Sequence, residues 1–542
     1  MMDRYRSWNP GTPDFVTIET EKESRVISGQ ANPAVGGGTT VSFSEIKETL
    51  QVEVTSQDAL LGVKLRWQYR LAKDARFLGD AWERGYGDLR WQGMSGSRFM
   101  PWYFLAAGAE NTQCFGVMVR PAAMCFWQAD TKGVTLYLDL RSGGRGVELK
   151  GQTLEAAKVV CMEGPSEDTF GTAREFCRRM CEDPLLPAFP VYGSNNWYYA
   201  YGDSSDVQIQ KDADYLLALT QGVSNPPFMV VDDGWQVNHR LEEYNGGPWR
   251  KGNDKFPDLG ALARELKEKK VRPGIWVRLL LNEDPAIPWE WRISHNGCLD
   301  PSHPEALDYI RQDIRQICDW GYQLIKHDFS TYDLFGMWGF EANLLNVRDD
   351  WHFYDRGKTS AQIVTLLYEA ICQEAAPKDV LILGCNTIGH LGAGLMHLNR
   401  TGDDTSGRIW ERSRRMGVNT LAFRLPQHGA FYDVDADCVG INGSIPWEKN
   451  RQWAEVIARS GTPLFLSVKP GILKKEEEEE LRSIMKIASE QKQHMIPMDW
   501  EDIDCPEVWS DGKQTVTYDW YEEAGPVLSA EIERFNAPLA VP

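Results

Sequence analysis

The sequence predicts an α/β protein: a (β/α)8 TIM barrel, with an N-terminal β-sandwich domain before it and a short C-terminal β-sheet region after it. A chain of 542 residues exceeds the usual size of one hydrophobic core. Roughly the first 180 residues alternate strand-like runs with glycine-rich turns. From Val191 onward, short apolar runs alternate with amphipathic helices, which is typical of a parallel sheet. The predicted domains are 1–185, 186–470 and 471–542.

The sandwich is predicted from apolar and polar residues that alternate, wholly or in part, in the runs 52–55, 63–69 and 134–140. A helix-like run at 166–181 follows, and it is succeeded by the proline-rich stretch 183–187. We therefore expect the sandwich to end near residue 185.

The barrel is predicted from eight apolar runs that have the length of buried strands. They lie at 191–199, 228–232, 272–281, 323–328, 380–385, 394–400, 419–424 and 463–467. Amphipathic helices are predicted between them, for example at 258–270 and 304–320. Because the carboxyl ends of barrel strands line the active site of such folds, polar residues at these ends are the candidate functional residues.

The C-terminal region begins with five successive glutamates at 476–480, which favour the start of a helix because acidic side chains stabilise the positive end of its dipole. Sequence from Glu507 onward is typical of a short terminal sheet.

Charge and composition exclude several classes of partner. A net charge of -20 argues against nucleic acid, because phosphate binding needs a basic surface. No apolar stretch is long enough to cross a bilayer, and the first residues lack an apolar signal core, so we expect a cytoplasmic protein without membrane contact. The 11 cysteines include no CxxC pair and suggest buried, reduced thiols.

The fourth predicted strand ends in Lys326-His327-Asp328. Side chains two residues apart in a strand emerge on the same side, so we expect Lys326 to hold the Asp328 carboxylate ionised and oriented. A structural salt bridge is the alternative for this pattern taken alone. In the company of the other polar strand ends, it indicates a nucleophilic carboxylate.

Strands one to three also end in polar and aromatic residues. Asp232, Asp233 and Trp235 follow the second strand, where the carboxylates suit sugar hydroxyls and the indole suits a sugar's apolar face. A helix cap would require only one of these residues. Trp276 on the third strand suits a pocket wall or simple packing, and Asn196 at the end of the first suits a pocket floor or an aromatic core.

Strands five and six supply the remaining candidates. Cys385 follows the fifth strand and is interpreted as a pocket wall, since no obviously partnered histidine supports it as a nucleophile. Arg400 ends the sixth strand and is followed by Asp403 and Asp404, either of which suits general acid/base catalysis. A second prepared carboxylate beside Asp328 suggests glycoside cleavage.

Together these residues resemble glycoside hydrolase family 36, the α-galactosidase (melibiase-like) family, whose clan also contains the family 27 α-galactosidases. The matching motifs occur in the family's order: Asn-Trp-Tyr at 196–198, Asp-Asp-Gly-Trp at 232–235, Gly-Ile-Trp at 274–276, Lys-x-Asp at 326–328, Gly-Cys at 384–385, Arg-x-x-x-Asp-Thr at 400–405 and Asp-x-Asp-Cys at 435–438.

The resemblance implies a retaining, exo-acting α-glycosidase, with Asp328 as nucleophile and Asp404, four positions after the arginine, as acid/base. It implies a terminal α-galactoside of an α-linked oligosaccharide or glycoside as substrate, and it implies neither a metal nor an organic cofactor. The resemblance places seven side chains around the sugar: Asp232, Asp233, Trp235, Trp276, Lys326, Cys385 and Arg400. We add Asn196, which comes from the first matching motif.

The substrate, the reaction and the oligomeric state each have alternatives that stay open. The segment 386–389 differs from the commonest family pattern, so an α-N-acetylgalactosaminide or another α-sugar is an alternative substrate. The region of Arg424 and His428 also differs from that pattern. Transfer to another sugar, as in raffinose synthases, and non-catalytic carbohydrate binding are the alternative functions. A homo-oligomer in which a neighbouring subunit supplies a pocket loop is also left open.

Overall fold

The computed structural model describes residues 4–241, 246–342, 344, 346–347, 349–523 and 525. It confirms the predicted fold class, because two antiparallel sheets precede a parallel sheet surrounded by helices. The division of the chain at 185 and 470 stays a prediction. None of the helices in the described part of the chain is long and apolar enough to span a membrane.

The N-terminal region is a sandwich of two antiparallel sheets. One sheet contains Arg6–Trp8, Ala34–Gly36, Thr39–Ile46, Thr49–Ser56, Arg76–Gly79, Tyr103–Ala107, Asn111–Val117 and Thr153–Pro165. The other contains Phe15–Thr20, Ser24–Ser28, Leu60–Trp67, Met100–Pro101, Met124–Asp130 and Gly133–Asp139. A small hairpin pairs Arg141–Ser142 with Arg145–Gly146.

Apolar side chains from the two sheets form the core of the sandwich. The rings of Phe104 and Phe115 in one sheet lie 5.9 and 6.1 Å from Trp127 in the other, measured between ring centres. These inward residues alternate with more exposed ones along each strand, as the two-residue period of a strand requires. The helix Thr169–Met180 then leads toward the barrel and begins where Asp168 caps the amide of Gly171.

The barrel sheet has nine strands, and all its neighbouring strands are parallel. Their order across the sheet is Asp433–Asp435, Leu398–Arg400, Leu381–Gly384, Leu324–His327, Arg272–Val277, Phe228–Val231, Tyr192–Asn195, Leu464–Val468 and Cys438–Ile441. Only Ala436 and Asp437 separate the two edge strands, which are therefore two parts of one broken strand. Counted as one, they give the eight strands of a closed barrel.

Helices surround the barrel and connect its strands. The α-helices are Trp197–Ala200, Asp206–Leu219, Leu259–Glu268, Pro304–Trp320, Ser330–Phe335, Ser360–Ala375, Gly389–Gly392, Trp410–Arg412, Thr420–Arg424 and Trp447–Ser460. A π-helix spans Ser413–Asn419, and short 3₁₀ turns span Trp289–Trp291, Ala376–Lys378 and Leu425–Gln427.

One predicted strand is wrong. Residues 419–424 are helical, and the seventh strand is the broken one at Asp433–Asp435 and Cys438–Ile441. Leu421, Ala422 and Phe423 are all buried because this helix lies beneath the sandwich, where the Arg424 guanidinium binds Asp80. A helix that is buried all round has the same apolar sequence as a buried strand, so periodicity alone does not separate them.

The C-terminal region contains the helix Lys475–Glu490, which starts at the acidic run as predicted, and a three-stranded antiparallel sheet. The strands are Ile496–Pro497, Val508–Ser510 and Thr515–Thr517. The part of this predicted region at 524 and 526–542 lies outside the described residues.

Candidate active site

Asp328 is the first residue after the fourth barrel strand. Its Oδ2 accepts a hydrogen bond of 3.1 Å from Trp276 Nε1. Its Oδ1 accepts bonds from the backbone amides of Phe329 at 2.7 Å and Asn386 at 3.1 Å. Donors from strands three, four and five therefore fix the orientation of this carboxylate, which is only partly buried.

The residue after Asp328 has an unusual backbone conformation. Phe329 has a φ of 60°, in the left-handed region that aromatic residues rarely adopt. The Arg278 guanidinium lies 4.1 Å above its ring centre, and Asp333 in turn binds Arg278. The surrounding contacts thus hold a strained turn directly beside Asp328, as is common at functional sites.

Lys326 does not pair with Asp328 as the sequence suggested. Its Nζ donates a hydrogen bond of 2.8 Å to Asp232 Oδ2, at the end of the second strand. Asp232 is only 3% exposed, and burial raises its pKa while Lys326 opposes that shift. The pairing with Asp232 has a physical reason, because a buried carboxylate needs a cation more than a solvated one does.

The two asparagines of the first strand end both serve Asp232. Asn196 is buried, and its Oδ1 accepts a bond of 2.9 Å from the backbone amide of Asp232. Asn195 Nδ2 donates directly to Asp232 Oδ2. Asn196, which was predicted, therefore binds the backbone at the end of the second strand. Asn195, which was not predicted, binds the Asp232 carboxylate.

Asp233 and Trp235 lie in different surroundings. Asp233 is mostly buried, and its Oδ1 accepts a bond of 2.6 Å from Gln236 Nε2. The expectation that Trp235 covers a sugar is wrong: its side chain is 0% exposed and packs against Trp249 and Trp320. Its Nε1 donates to the carbonyl of Trp276 at 2.8 Å, so it supports the wall behind Trp276.

Arg400 is fully buried at the end of the sixth strand and connects three groups. Its Nη2 lies 3.0 Å from Asp437 Oδ2 and 3.3 Å from Asp404 Oδ1, and its Nη1 donates to Cys385 Sγ at 3.3 Å. Burial raises the pKa of the Cys385 thiol well above its usual value. A protonated thiol is a poor nucleophile, which agrees with the interpretation of Cys385 as a pocket wall.

Asp403 and Asp404 differ clearly in their surroundings. Asp403 forms ion pairs of 2.7 Å with Arg84 and 2.8 Å with Arg412, and it is largely buried. The side chain of Asp404 is 39% exposed and is 3.3 Å from its nearest cation, Arg400. Asp404 is thus the carboxylate that remains accessible to a ligand.

Cations dominate the electrostatics of Asp404. Desolvation in the barrel mouth alone would raise its pKa, but nearby cations outweigh this effect and lower the pKa to about 2. Arg400 has the largest effect, followed by Arg84, Lys326 and Arg412. The ionised form of Asp404 therefore predominates at neutral pH.

Sequence reasoning did not propose five residues of this site as ligands: Asn195, Asp435, Asp437, Glu83 and Arg84. Asp435 and Asp437 lie where the seventh strand breaks, and that strand was misplaced. Burial raises the pKa of Asp435 to about 6, although Arg400 opposes the shift. The Asp-x-Asp-Cys motif at 435–438 was the available signal for these two carboxylates.

Glu83 and Arg84 come from the sandwich, and no local pattern in the sequence places them at the barrel. Glu83 is fully buried, which raises its pKa, and it accepts hydrogen bonds from Tyr86, Asn386 and the backbone amide of Gly339.

Among the described residues, no group of three or more His, Cys, Asp or Glu side chains is arranged to hold a metal ion.

Comparison with known proteins identifies the architecture. No protein-family model matches the sequence, and no curated protein matches it. An α-galactosidase from Thermus thermophilus, solved with p-nitrophenyl α-D-galactopyranoside, is similar in structure with a TM-score of 0.58 and 15% identity. The match covers 89% of this chain and 97% of that one.

Two family 31 glycosidases are similar as well. A sulfoquinovosidase from E. rectale with an aza-sugar inhibitor has a TM-score of 0.57 and 12% identity over 94% of this chain and 87% of its own. An α-xylosidase from a soil metagenome, complexed with xylose, has a TM-score of 0.52 and 12% identity, over 98% and 91% of the two chains. At these identities, the likeness establishes a fold shared with α-glycosidases.

Proposed function

We propose that this protein is a retaining, exo-acting α-glycosidase of the family 36 type that hydrolyses terminal α-galactosides. The observation that carries the proposal is the pair of carboxylates at one barrel mouth. Asp328 is oriented by three hydrogen-bond donors, and Asp404 is accessible beside Arg400. Two carboxylates with different surroundings are the requirement for glycoside cleavage by double displacement.

In the first step, an oxygen of Asp328 attacks the anomeric carbon while the bond from that carbon to the aglycone oxygen breaks. Asp404 donates its proton to the departing oxygen. In the second step, the Asp404 carboxylate takes a proton from water, and the water oxygen displaces Asp328 from the anomeric carbon. The cations around Asp404 keep it in the ionised form, which is the form that accepts a proton in this second step.

The sugar is proposed to lie among polar groups from several strand ends. Trp276 lines the site beside Asp328, and the paired Asp232 and Lys326 offer an acceptor and a donor for hydroxyl groups. Arg400 and Cys385 contribute the wall between the fifth and sixth strands.

Charge pairing favours a neutral sugar over an anionic one. Lys326 pairs with Asp232, Arg400 with Asp437, and the guanidinium groups of Arg84 and Arg412 with Asp403. An anionic substituent such as a sulfonate would have to compete with these carboxylates, and Asp328, Asp404 and Asp435 add further negative charge. A galactoside is uncharged and does not compete with these carboxylates.

The test is hydrolysis of a panel of aryl glycosides by the wild-type protein: α-galactoside, α-N-acetylgalactosaminide, α-glucoside, α-sulfoquinovoside and β-galactoside. We expect turnover of the α-galactoside, with proton NMR showing α-galactose as the first product. Inverted product would refute the double displacement, and turnover of another sugar alone would replace the proposed substrate. Product analysis with excess acceptor sugar would reveal transfer in place of hydrolysis.

A further inference from the structure

A segment of the sandwich enters the mouth of the barrel. The backbone amide of Gly85 donates to the Thr401 carbonyl at 2.7 Å, and the amide of Asp403 donates to the Gly85 carbonyl at 3.0 Å. The Arg424 guanidinium also donates to the Glu83 carbonyl. Backbone hydrogen bonds therefore tie residues 83–85 directly to the loop that carries Asp403 and Asp404.

Arg84 is the side chain that this segment delivers to the two carboxylates. Its Nη2 lies 2.7 Å from Asp403 Oδ1, and its Nη1 lies 4.0 Å from Asp404 Oδ1. The side chain is 5% exposed, and its guanidinium lies 5.3 Å from the ring centre of Trp338. These contacts leave the guanidinium little freedom to move.

Neutralising Asp403 does not by itself require Arg84. Arg412 already pairs with Asp403 at 2.8 Å and also donates to the backbone carbonyl of Asp404. A second buried guanidinium is costly to desolvate, and besides Asp403 it has two carboxylates at 4.0 Å, Glu83 and Asp404. Of these two, Asp404 is the one whose side chain is exposed at the barrel mouth. This arrangement gives Arg84 a role beyond structural pairing.

The groups that act electrostatically on Asp404 come from several elements. They are Arg400 on the sixth strand, Lys326 on the fourth strand, Arg412 after the sixth strand, the phenols of Tyr198 and Tyr201 after the first strand, and Arg84. Within the described part of the chain, Arg84 is the member of this set that the sandwich supplies.

We propose that Arg84 is a positioning residue for Asp404, through which the sandwich domain holds this carboxylate in place and opposes its protonation. The inference rests on the proposed acid/base role of Asp404 for its catalytic consequence, but its electrostatic part stands on the contacts alone. Removing a cation this close to a carboxylate raises the carboxylate's pKa, by roughly one unit for a partly solvated pair. The acid form of Asp404 would then persist to higher pH.

The experiment follows Asp404 by carbon-13 NMR in protein labelled at the aspartate carboxyl carbons. The Asp404 signal is assigned from its loss in Asp404→Asn, and it is titrated down to the lowest pH at which circular dichroism shows an intact fold. We expect the titration in Arg84→Met to lie roughly one pH unit above that of the wild type. Arg84→Lys, which keeps the charge, should restore most of the difference.

The matched control is Arg66→Met, which removes an arginine of the sandwich that pairs with Asp130. It should leave the Asp404 titration unchanged. An unchanged titration in folded Arg84→Met, or an equal shift in Arg66→Met, overturns the proposal. If Arg84→Met does not fold, the comparison of Arg84→Lys with Arg84→Gln decides in the same way.

Kinetics separate this proposal from the proposed function. In any glycoside that the protein hydrolyses, the basic limb of the kcat/KM profile should move to higher pH in Arg84→Met by the same interval as the NMR titration. A shifted NMR titration with no turnover of any glycoside would refute the function and leave the positioning intact. Turnover by Arg84→Met with no shift in the NMR titration or in the kcat/KM profile would refute the positioning role.

Discussion

The two carboxylates of the barrel mouth are held in contrasting ways. Asp328 is oriented by neutral donors, the indole of Trp276 and two backbone amides, all from the barrel itself. Asp404 is surrounded by cations, one of which belongs to a different domain. Fixed neutral donors orient a carboxylate without strongly changing the local charge, whereas cations alter its proton affinity. The difference suits a nucleophile on one side and a proton-transferring group on the other.

The largest expected effect tests the nucleophile. Asp328→Asn keeps the shape and most hydrogen bonds of the side chain but removes the attacking oxygen's charge, so kcat should fall by at least about 10³-fold. The measurement is turnover of the best aryl α-glycoside from the panel. Asp319→Asn, on the exposed end of a barrel helix, is the matched control and should retain full activity.

Retained hydrolysis in Asp328→Asn, with circular dichroism showing a native fold, would contradict the assignment. Asp328 would then not be the nucleophile, and its contrast with Asp404 would not be one between a nucleophile and an acid/base.

The second prediction sharpens the role of Asp404. Asp404→Ala removes the proton donor, so glycosides with poor leaving groups should lose about 10² to 10⁴-fold in kcat/KM. Nitrophenyl glycosides should lose much less, because their leaving group departs without a proton. Steady-state kinetics with both classes of substrate give the ratio.

Added azide should restore turnover of the nitrophenyl glycoside by Asp404→Ala and yield an α-glycosyl azide. Equal losses for both classes of leaving group would argue that Asp404 only shapes the site.

The third prediction concerns the buried ion pair of Lys326 and Asp232. Lys326→Met leaves the buried Asp232 carboxylate without its cation and should lower the free energy of unfolding by about 3 to 5 kcal/mol. Urea denaturation measures this change. The double variant with Asp232→Asn should recover much of the loss, because no unpaired charge then stays buried.

Lys255→Met, which breaks an exposed pair with Asp203, should cost less than about 1 kcal/mol. Equal destabilisation by Lys326→Met and Lys255→Met would show that the buried pair has no special importance.

The last prediction concerns the dependence of the wild-type protein's activity on pH, which changes gradually with each unit. The pKa of Asp404 is depressed to about 2, so the fraction of its proton-donating form falls as pH rises, by about tenfold per unit above that value. For a substrate with a poor leaving group, kcat/KM should therefore decline between pH 4 and pH 7. A nitrophenyl substrate should show a flatter profile, and a plateau that reaches neutral pH for both would contradict the depressed pKa.

Much of the barrel was predictable because its strand ends combine an apolar run with a polar motif. The residues Asp232, Asp328 and Arg400 lie at strand ends as the sequence indicated. The helix at Thr420–Arg424 was not predictable, because a helix buried on all sides has no amphipathic period. Because the seventh strand was predicted at 419–424, Asp435 was not recognised as a strand-end residue; its own strand contains few apolar residues.

The partners of the carboxylates were harder to predict than their positions. Local spacing suggested that Lys326 serves Asp328. The long lysine side chain instead reaches past the third strand to the end of the second, where the buried carboxylate of Asp232 needs a cation. Arg84 is separated from Asp404 by more than half of the chain. No local pattern encodes that two domains meet there, so this contact required the three-dimensional structure.

The entry of residues 83–85 into the barrel mouth also has a consequence for how the protein is made. The ribosome completes the sandwich before any barrel strand emerges, and domains generally fold in that order. The segment that carries Arg84 is therefore already synthesised when the sixth strand arrives, and the loop of Asp403 and Asp404 can form against it. In a barrel expressed without its sandwich, the loop of Asp403 and Asp404 would have to fold without its contacts to residues 83–85.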